Sequence, residues 1–402
     1  AAVRLFTTRY LLGLFDGSEY DNISYLEVES PRHLDAAEKA AEKSFVLLKN
    51  NGILPLDKEK LKTIGIIGPN ADSRQALIGN YHGTASRYVT IQEGIQDYVG
   101  DDVRILTSRG CDLFRDRTEH LAFTRDRIAE AKVVAENSDV VILCMGLDET
   151  LEGEEGDTGN SYVSGDKEDI ELPGVQRELM EAIADTGKPV VFCLLAGSDL
   201  NLKYAAEKFD AVMMLWYPGQ GGKAAARVLF GEISPSGKLP VTFYESLEEL
   251  PDFTDYSMKG RTYRYMERKA QFPFGYGLTY SKVAVDKAEV KTCGQKINVE
   301  VEVQNNGAYD TEDVVQIYVK NIDSKNAIPN PMLAGFHRIF LKAGECRKIE
   351  IPIWEKAFTV VDETGKRMEE GKKFEIYAGC SQPDEKSKEL TGIMPVKIIW
   401  EK

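Results

Sequence analysis

Four short runs of nearly unbroken apolar character set the architecture: TIGIIG (63–68), VVILCM (140–145), PVVFCLLAG (189–197) and AVMMLWY (211–217). A strand with one face in water alternates apolar and polar residues, so runs without alternation are strands buried on both faces. Val103 to Leu106 adds a shorter strand. Between these runs the apolar spacing becomes helical, over 91–99, Ile128 to Asn137, 175–186 and 201–208. Strands alternating with helices predict an α/β fold, a mostly parallel sheet with helices on both faces. Such sheets bind ligands outside the carboxyl ends of their strands.

One of those ends carries an unusual insertion. After Val140–Met145 the chain runs to Leu172-Pro173-Gly174 before the next helical pattern begins, an excursion of roughly 25 residues where 2–6 are usual. Asp148, Glu149, Glu152, Glu154, Glu155 and Asp157 crowd its first part, and no base follows until Lys167. A solvated charged loop is one reading. The other is a carboxyl held against a substrate and kept protonated by its neighbours as a general acid.

At 402 residues the chain is too long for one ordinary core. A formal net charge of -15 argues against nucleic-acid or anionic-membrane partners, which call for basic patches. No apolar run reaches the length of a membrane span. Residues 1 to about 30 read as an amphipathic helix stopped by Gly13, a terminal helix and linker with too little to bury, fitting the end of a preceding domain. The stretch lacks the pattern of a signal peptide and an initiator Met, which leaves the compartment open between cytoplasm and secretion. A second helix is expected over Pro31 to Asn50, carrying Leu34, Ala37, Ala41, Phe45 and Leu48 on one face.

The six cysteines show no C-x-x-C spacing, and Cys144 and Cys193 fall inside buried strands as small core thiols. Four scattered histidines give no metal motif. Neither GPNAD after the first strand nor GQGGK (219–223) has the spacing of a nucleotide-binding loop. No cofactor and no metal are expected. Residues 246–280 are an ordered linker rich in Tyr, Gly and Pro. Beyond it, period-two alternation in KINVEVEV, VVQIYV, RKIEIPIW and KKFEIYAG predicts some seven short strands over about 120 residues, an all-β sandwich.

Several stretches together resemble the C-terminal two-thirds of glycoside hydrolase family 3, the β-xylosidase and β-glucosidase group. They are SFVLLKNNGILPL (44–56), GIIGPNAD (65–72), GNYHG (79–83), LPGVQRELMEAI (172–183), WYPGQGGKAAARVLFGEISPSGKLPVTF (216–243) and PFGYGLTYS (273–281). VVQIYVKN and LAGFHRIFLKAGE are similar to the family's fibronectin type III-like domain. The resemblance implies an α/β sandwich over 31–245 and a fibronectin type III-like domain over 281–402. It also implies a barrel domain bearing the aspartate nucleophile, which these residues do not include, in the same precursor or on a second chain. GLDETLEGEEGD, GNYHG and GRTYRYM look more like the β-xylosidase branch than the β-glucosidase branch.

In the family the acid/base glutamate lies on the loop after a central strand, in patterns such as Gly-Glu-Gly or Glu-x-Glu-Gly followed by Asp. On this chain that segment is Glu152 to Asp157. Glu154 falls on the catalytic position, with Glu152 as runner-up. The family's Asp-Arg pair is here Asp157-Thr158, a departure that loosens the local alignment. Arg264, Tyr263 and Tyr265 stand open between linker packing and a wall of the sugar cleft, whereas Trp216 and Tyr217 are expected to pack at a strand end. The resemblance implies part of a retaining exo-β-glycosidase acting on oligosaccharides or aryl β-glycosides. A non-catalytic carbohydrate-binding module is the alternative of another class, and a homo-oligomer stays open.

Overall fold

The computed structural model describes residues 1–117, 122–154, 167–294 and 296–402. Six strands, β1 (Val46–Asn50), β2 (Thr63–Ile67), β3 (Arg104–Ser108), β4 (Val140–Gly146), β5 (Val190–Leu195) and β6 (Ala211–Met214), form one sheet in the order β1-β6-β5-β4-β2-β3. All neighbours pair in parallel except β1, which runs antiparallel to β6 at one edge. Every residue of β4, β5 and β6 is buried. The absence of alternation has a direct cause: Val141, Leu143 and Met145 enter one core, and Val140, Ile142 and Cys144 enter another on the opposite face. Burying each such side chain contributes about 1.5–3 kcal/mol.

The helices of the first half are α1 (Ala2–Leu11), α2 (Pro31–Ser44), α3 (Ile91–Val99), α4 (Asp126–Glu136), α5 (Gly174–Ala184), α6 (Lys203–Lys208) and α7 (Gly221–Leu229). Thr90 caps α3 in a reciprocal box with Glu93. Two expectations need correction. The helix predicted over Pro31 to Asn50 ends at Ser44, and Val46–Asn50 is a strand. Four consecutive buried residues, Phe45 to Leu48, need apolar surroundings on two sides, which a sheet edge between two cores supplies and a one-faced helix cannot. Residues 1–30 are not one helix either: α1 stops at Leu11, and short 3-10 turns follow at Glu19–Asn22 and Tyr25–Glu27.

After the irregular segment with its one-turn α8 (Thr262–Tyr265), the chain becomes antiparallel β. A four-stranded sheet orders β10 (Met332–Leu341), β9 (Thr311–Asn321), β14 (Lys373–Gly379) and β15 (Val396–Glu401). A three-stranded sheet orders β11 (Cys346–Pro352), β8 (Lys296–Asn305) and β7 (Val283–Cys293). The two-residue strands β12 (Val360–Val361) and β13 (Arg367–Met368) pair with each other, and α9 (Glu385–Thr391) bridges β14 and β15. Alternate residues Val299, Val301 and Val303 of β8 face Val315, Ile317 and Val319 of β9 in one core.

The sandwich is tied to the α/β unit by polar contacts. Lys238 pairs with Asp313 at 2.7 Å with both side chains nearly buried. Gln316 donates to the Gly275 carbonyl at 2.9 Å, and Arg338 donates to the Ser236 hydroxyl at 2.6 Å.

Candidate active site

The acidic excursion starts where β4 leaves the sheet at Gly146, with φ 143°; a Cβ there would lie 1.9 Å from the Leu195 carbonyl oxygen, so only glycine fits. Gln176 of α5, fully buried, accepts from the Gly146 N–H at 2.9 Å and donates to the Gly146 carbonyl at 2.6 Å and to that of Leu113 at 2.7 Å. The exit from the strand is thereby fixed by the helix that follows the excursion. Asn70, after β2, donates to the Leu147 carbonyl at 2.8 Å. Asp148 accepts from the backbone and hydroxyl of Thr150, closing a turn that carries the chain to Glu152.

Glu152 is half-buried and held from the next strands of the sheet. Its carboxylate accepts from the Gly197 N–H at 2.7 Å and from the hydroxyls of Ser198 and Tyr217. Burial first, and then the Glu152 charge, push the Tyr217 phenol well above its ordinary range, so Tyr217 keeps its proton and acts as donor. Glu154, two residues on, is exposed and accepts from the Tyr81 hydroxyl at 2.5 Å. Glu155 and Asp157 lie outside the described residues.

The segment after β2 grips the acidic one at three consecutive positions. Asn80 donates to the Glu152 carbonyl at 3.2 Å, Tyr81 bonds Glu154, and His82 Nε2 meets Glu149 at 3.0 Å. Tyr81 adopts φ 61°, the left-handed region. The His82 ring is held above its usual pKa first by the Gly83 carbonyl on Nδ1, against desolvation, and then by Glu149. Further along, Lys167 donates to the Asp199 carbonyl at 2.8 Å, and burial lowers its pKa.

The linker residues assemble elsewhere along the same side. Tyr263 is buried, its ring stacked on Phe274 at 4.2 Å, and its hydroxyl accepts from the Leu333 N–H of the sandwich. Arg264 is exposed with its guanidinium 5.7 Å from the Tyr263 ring, and Tyr265 is half-buried. Both line a cleft of ≈ 830 Å³ that Gly197, Ser198 and Asp199 also line. The residues that hold Glu152 thus also begin this cleft. Trp216 packs as expected, its ring N–H on the Ser44 carbonyl. Tyr217 reaches the acidic segment instead, a role its place in an apolar run concealed. Tyr81 and His82 sit in GNYHG, a motif visible in the sequence without an indication of what it would touch. Among the described residues no cluster of three or more His, Cys, Asp or Glu is arranged to hold a metal ion, and no helix is long and apolar enough to cross a membrane.

Comparison with known proteins identifies the family. Residues 45–280 match the glycosyl hydrolase family 3 C-terminal domain, and residues 313–382 match a fibronectin type III-like domain. The chain is 34% identical to a β-xylosidase of Formosa agariphila, covering 95% of this chain and 53% of the relative. It is 30% identical to a periplasmic β-glucosidase of Salmonella typhimurium, covering 94% and 53%. Among solved structures, a GH3 exo-β-xylosidase in complex with a xylobiose aziridine activity-based probe superposes with a TM-score of 0.82 at 25% identity, covering 100% of this chain and 53% of that one. A β-glucosidase from Erythrobacter marinus superposes with a TM-score of 0.77 at 30% identity, covering 92% and 51%. The chain spans about half the length of these relatives. With more than half of its residues inside one domain of the family and its second unit matching the fibronectin type III-like domain, the chain belongs to glycosyl hydrolase family 3.

Proposed function

We propose that this chain supplies the general acid/base of a retaining exo-β-glycosidase, a β-xylosidase foremost, which removes terminal β-linked sugars from oligosaccharides. Glu154 is the donor. The nucleophile is an aspartate on a barrel domain outside these 402 residues, in the same precursor or on a second chain. The observation that supports this reading is the pairing, at the carboxyl edge of a parallel sheet, of a carboxylate anchored from the neighbouring strands and an exposed one met by the Tyr81 hydroxyl. Glu152 has both oxygens engaged by three donors, while Glu154 faces outward on a segment fixed at its root. A proton donor must reach the substrate, and the exposure of Glu154 supports that role for it over Glu152.

In the reaction, Glu154 protonates the glycosidic oxygen as the bond to the anomeric carbon breaks, and the aspartate takes that carbon as a covalent ester. Glu154, now ionised, removes a proton from the water that hydrolyses the ester. The two carboxyls must come within about 5–5.5 Å for this sequence. Val3, Leu5, Phe6, Leu11, Leu12 and Phe15 are exposed on the 1–30 segment, which supports attachment of a further domain on that flank. Arg264, Tyr263 and Tyr265 belong to the wall of the sugar cleft, Tyr263 as the ring behind the other two. The β-glucosidase specificity is the second reading, supported by the β-glucosidase names among the relatives.

The test is turnover of aryl β-xylosides and β-glucosides by this chain with and without a polypeptide carrying the family's barrel domain. The expected outcome is no hydrolysis above a buffer blank by the chain alone and hydrolysis by the pair. Turnover by a preparation shown by intact mass to hold no second polypeptide would require a nucleophile within these residues and contradict the proposal.

A further inference from the structure

The cleft between the α/β unit and the sandwich has the chemistry of a saccharide site. Trp354, at the end of β11, projects from the sandwich with 49% of its surface exposed. Its ring is braced edge-to-face by Phe336 at 6.2 Å, and its backbone N–H donates to the Ala334 carbonyl at 2.8 Å. Tyr244 and Tyr265 bring two more half-buried rings to the lining. Between these rings stand one carboxylate and one guanidinium. Asp199 accepts a long bond, 3.4 Å, from the Tyr244 N–H, and burial pushes its pKa up against the nearby Lys167 charge. Arg264 engages the Tyr263 hydroxyl through Nε at 3.5 Å and lines the cleft from an exposed position.

The ligand class follows from what these groups offer. A carboxylate accepts hydrogen bonds and a guanidinium only donates them, so a ligand serving both must carry groups that donate and accept. A phosphate would meet the Asp199 charge, and a purely apolar molecule would leave the part-buried Asp199 carboxylate unmatched at about 1–3 kcal/mol. Sugar hydroxyls do both, and the C–H faces of a pyranose lie flat on aromatic rings. The cleft volume of ≈ 830 Å³ falls within the range of ligand sites, about 300–1,000 Å³. Because Gly197 and Ser198 both line the cleft and hold Glu152, a chain bound here continues into the acidic segment.

We propose that this cleft binds the leaving-group end of a β-linked oligosaccharide, with Trp354 as the stacking platform and Asp199 and Arg264 as the hydroxyl partners. It rests on the glycosidase reading above for the direction of the chain, and on the cleft alone for binding. The sandwich then acts as part of the substrate site in addition to packing.

Calorimetric titration of this chain with xylotetraose tests it. Saturable binding is expected, reduced at least tenfold by Trp354→Ala and by the near-isosteric Asp199→Asn, and retained by Trp354→Phe. Circular dichroism and melting of each variant should match the parent, which separates lost binding from lost fold. No saturable binding, or binding indifferent to both Trp354→Ala and Asp199→Asn, overturns the proposal even if the completed enzyme hydrolyses xylosides. Binding with these sensitivities but no turnover when the barrel is supplied would uphold the cleft and sink the glycosidase reading, leaving a carbohydrate-binding module.

Discussion

Asn80, Tyr81 and His82 each touch a different point of the acidic segment, and the middle one does so from a strained backbone. A non-glycine residue in the left-handed region costs on the order of 1–3 kcal/mol and persists where its surroundings hold it. Here the hold is the phenol of Tyr81 on Glu154, which fixes the direction of an otherwise exposed carboxylate. Tyr81→Phe keeps the ring and removes the donor. In the complete enzyme kcat/KM for a substrate with a poor leaving group should fall roughly tenfold, the loss of about 1.4 kcal/mol. A substrate with a very acidic leaving group should change little. Equal loss on both would mean a purely structural role. His82 gives a pH-dependent clasp. Its pKa is raised, so the charge-assisted bond to Glu149 is fully present below the ordinary histidine value and disappears as pH climbs through the raised one. An NMR titration should place the His82 ring above about 6.5, with Glu149→Gln lowering it. A ring titrating at or below that value contradicts the clasp.

The strand–excursion–helix unit depends on one buried amide. Gln176 pairs with both polar groups of Gly146, so Gln176→Leu should leave buried groups unmatched and cost about 1–3 kcal/mol for each. Urea unfolding checks this, and a change under about 0.5 kcal/mol would show that the clamp is dispensable. The strands on either side were legible because burial on two faces writes itself as continuous apolar sequence. β1 was not, because Phe45 to Leu48 follow a helix without a break and a helical spacing can be drawn through them. α9 escaped for the opposite reason: EKSKELT has few apolar residues, and its start is set by the Asp384 cap on Ser387. The excursion announced itself by length and charge. Its anchors did not, since Ser198 and Tyr217 lie far along the chain and meet Glu152 only because β4, β5 and β6 are neighbours.

Across the whole molecule, the sandwich and the α/β unit share a buried ion pair, Lys238 with Asp313. Removing one partner strands the other charge, so Lys238→Met should destabilise by about 3–5 kcal/mol, while Lys238→Met combined with Asp313→Leu should recover most of the loss. Thermal or urea melts of the three proteins decide it, and equal stability of single and double variants would contradict the buried pair. The joint matters for function because the cleft takes Asp199 and Tyr244 from one unit and Trp354 from the other. As proposed, this chain brings the proton donor to a glycosidase completed elsewhere. The most direct measurement is the leaving-group dependence of the complete enzyme carrying Glu154→Ala or Glu152→Ala. Glu154→Ala should greatly slow unactivated xylosides and leave bond cleavage nearly intact for aryl xylosides with very acidic leaving groups. Azide should partly restore turnover by replacing the activated water. Near-parental rates on unactivated substrates for Glu154→Ala, with Glu152→Ala inactive, would move the donor to Glu152. Indifference to both changes would contradict the account altogether.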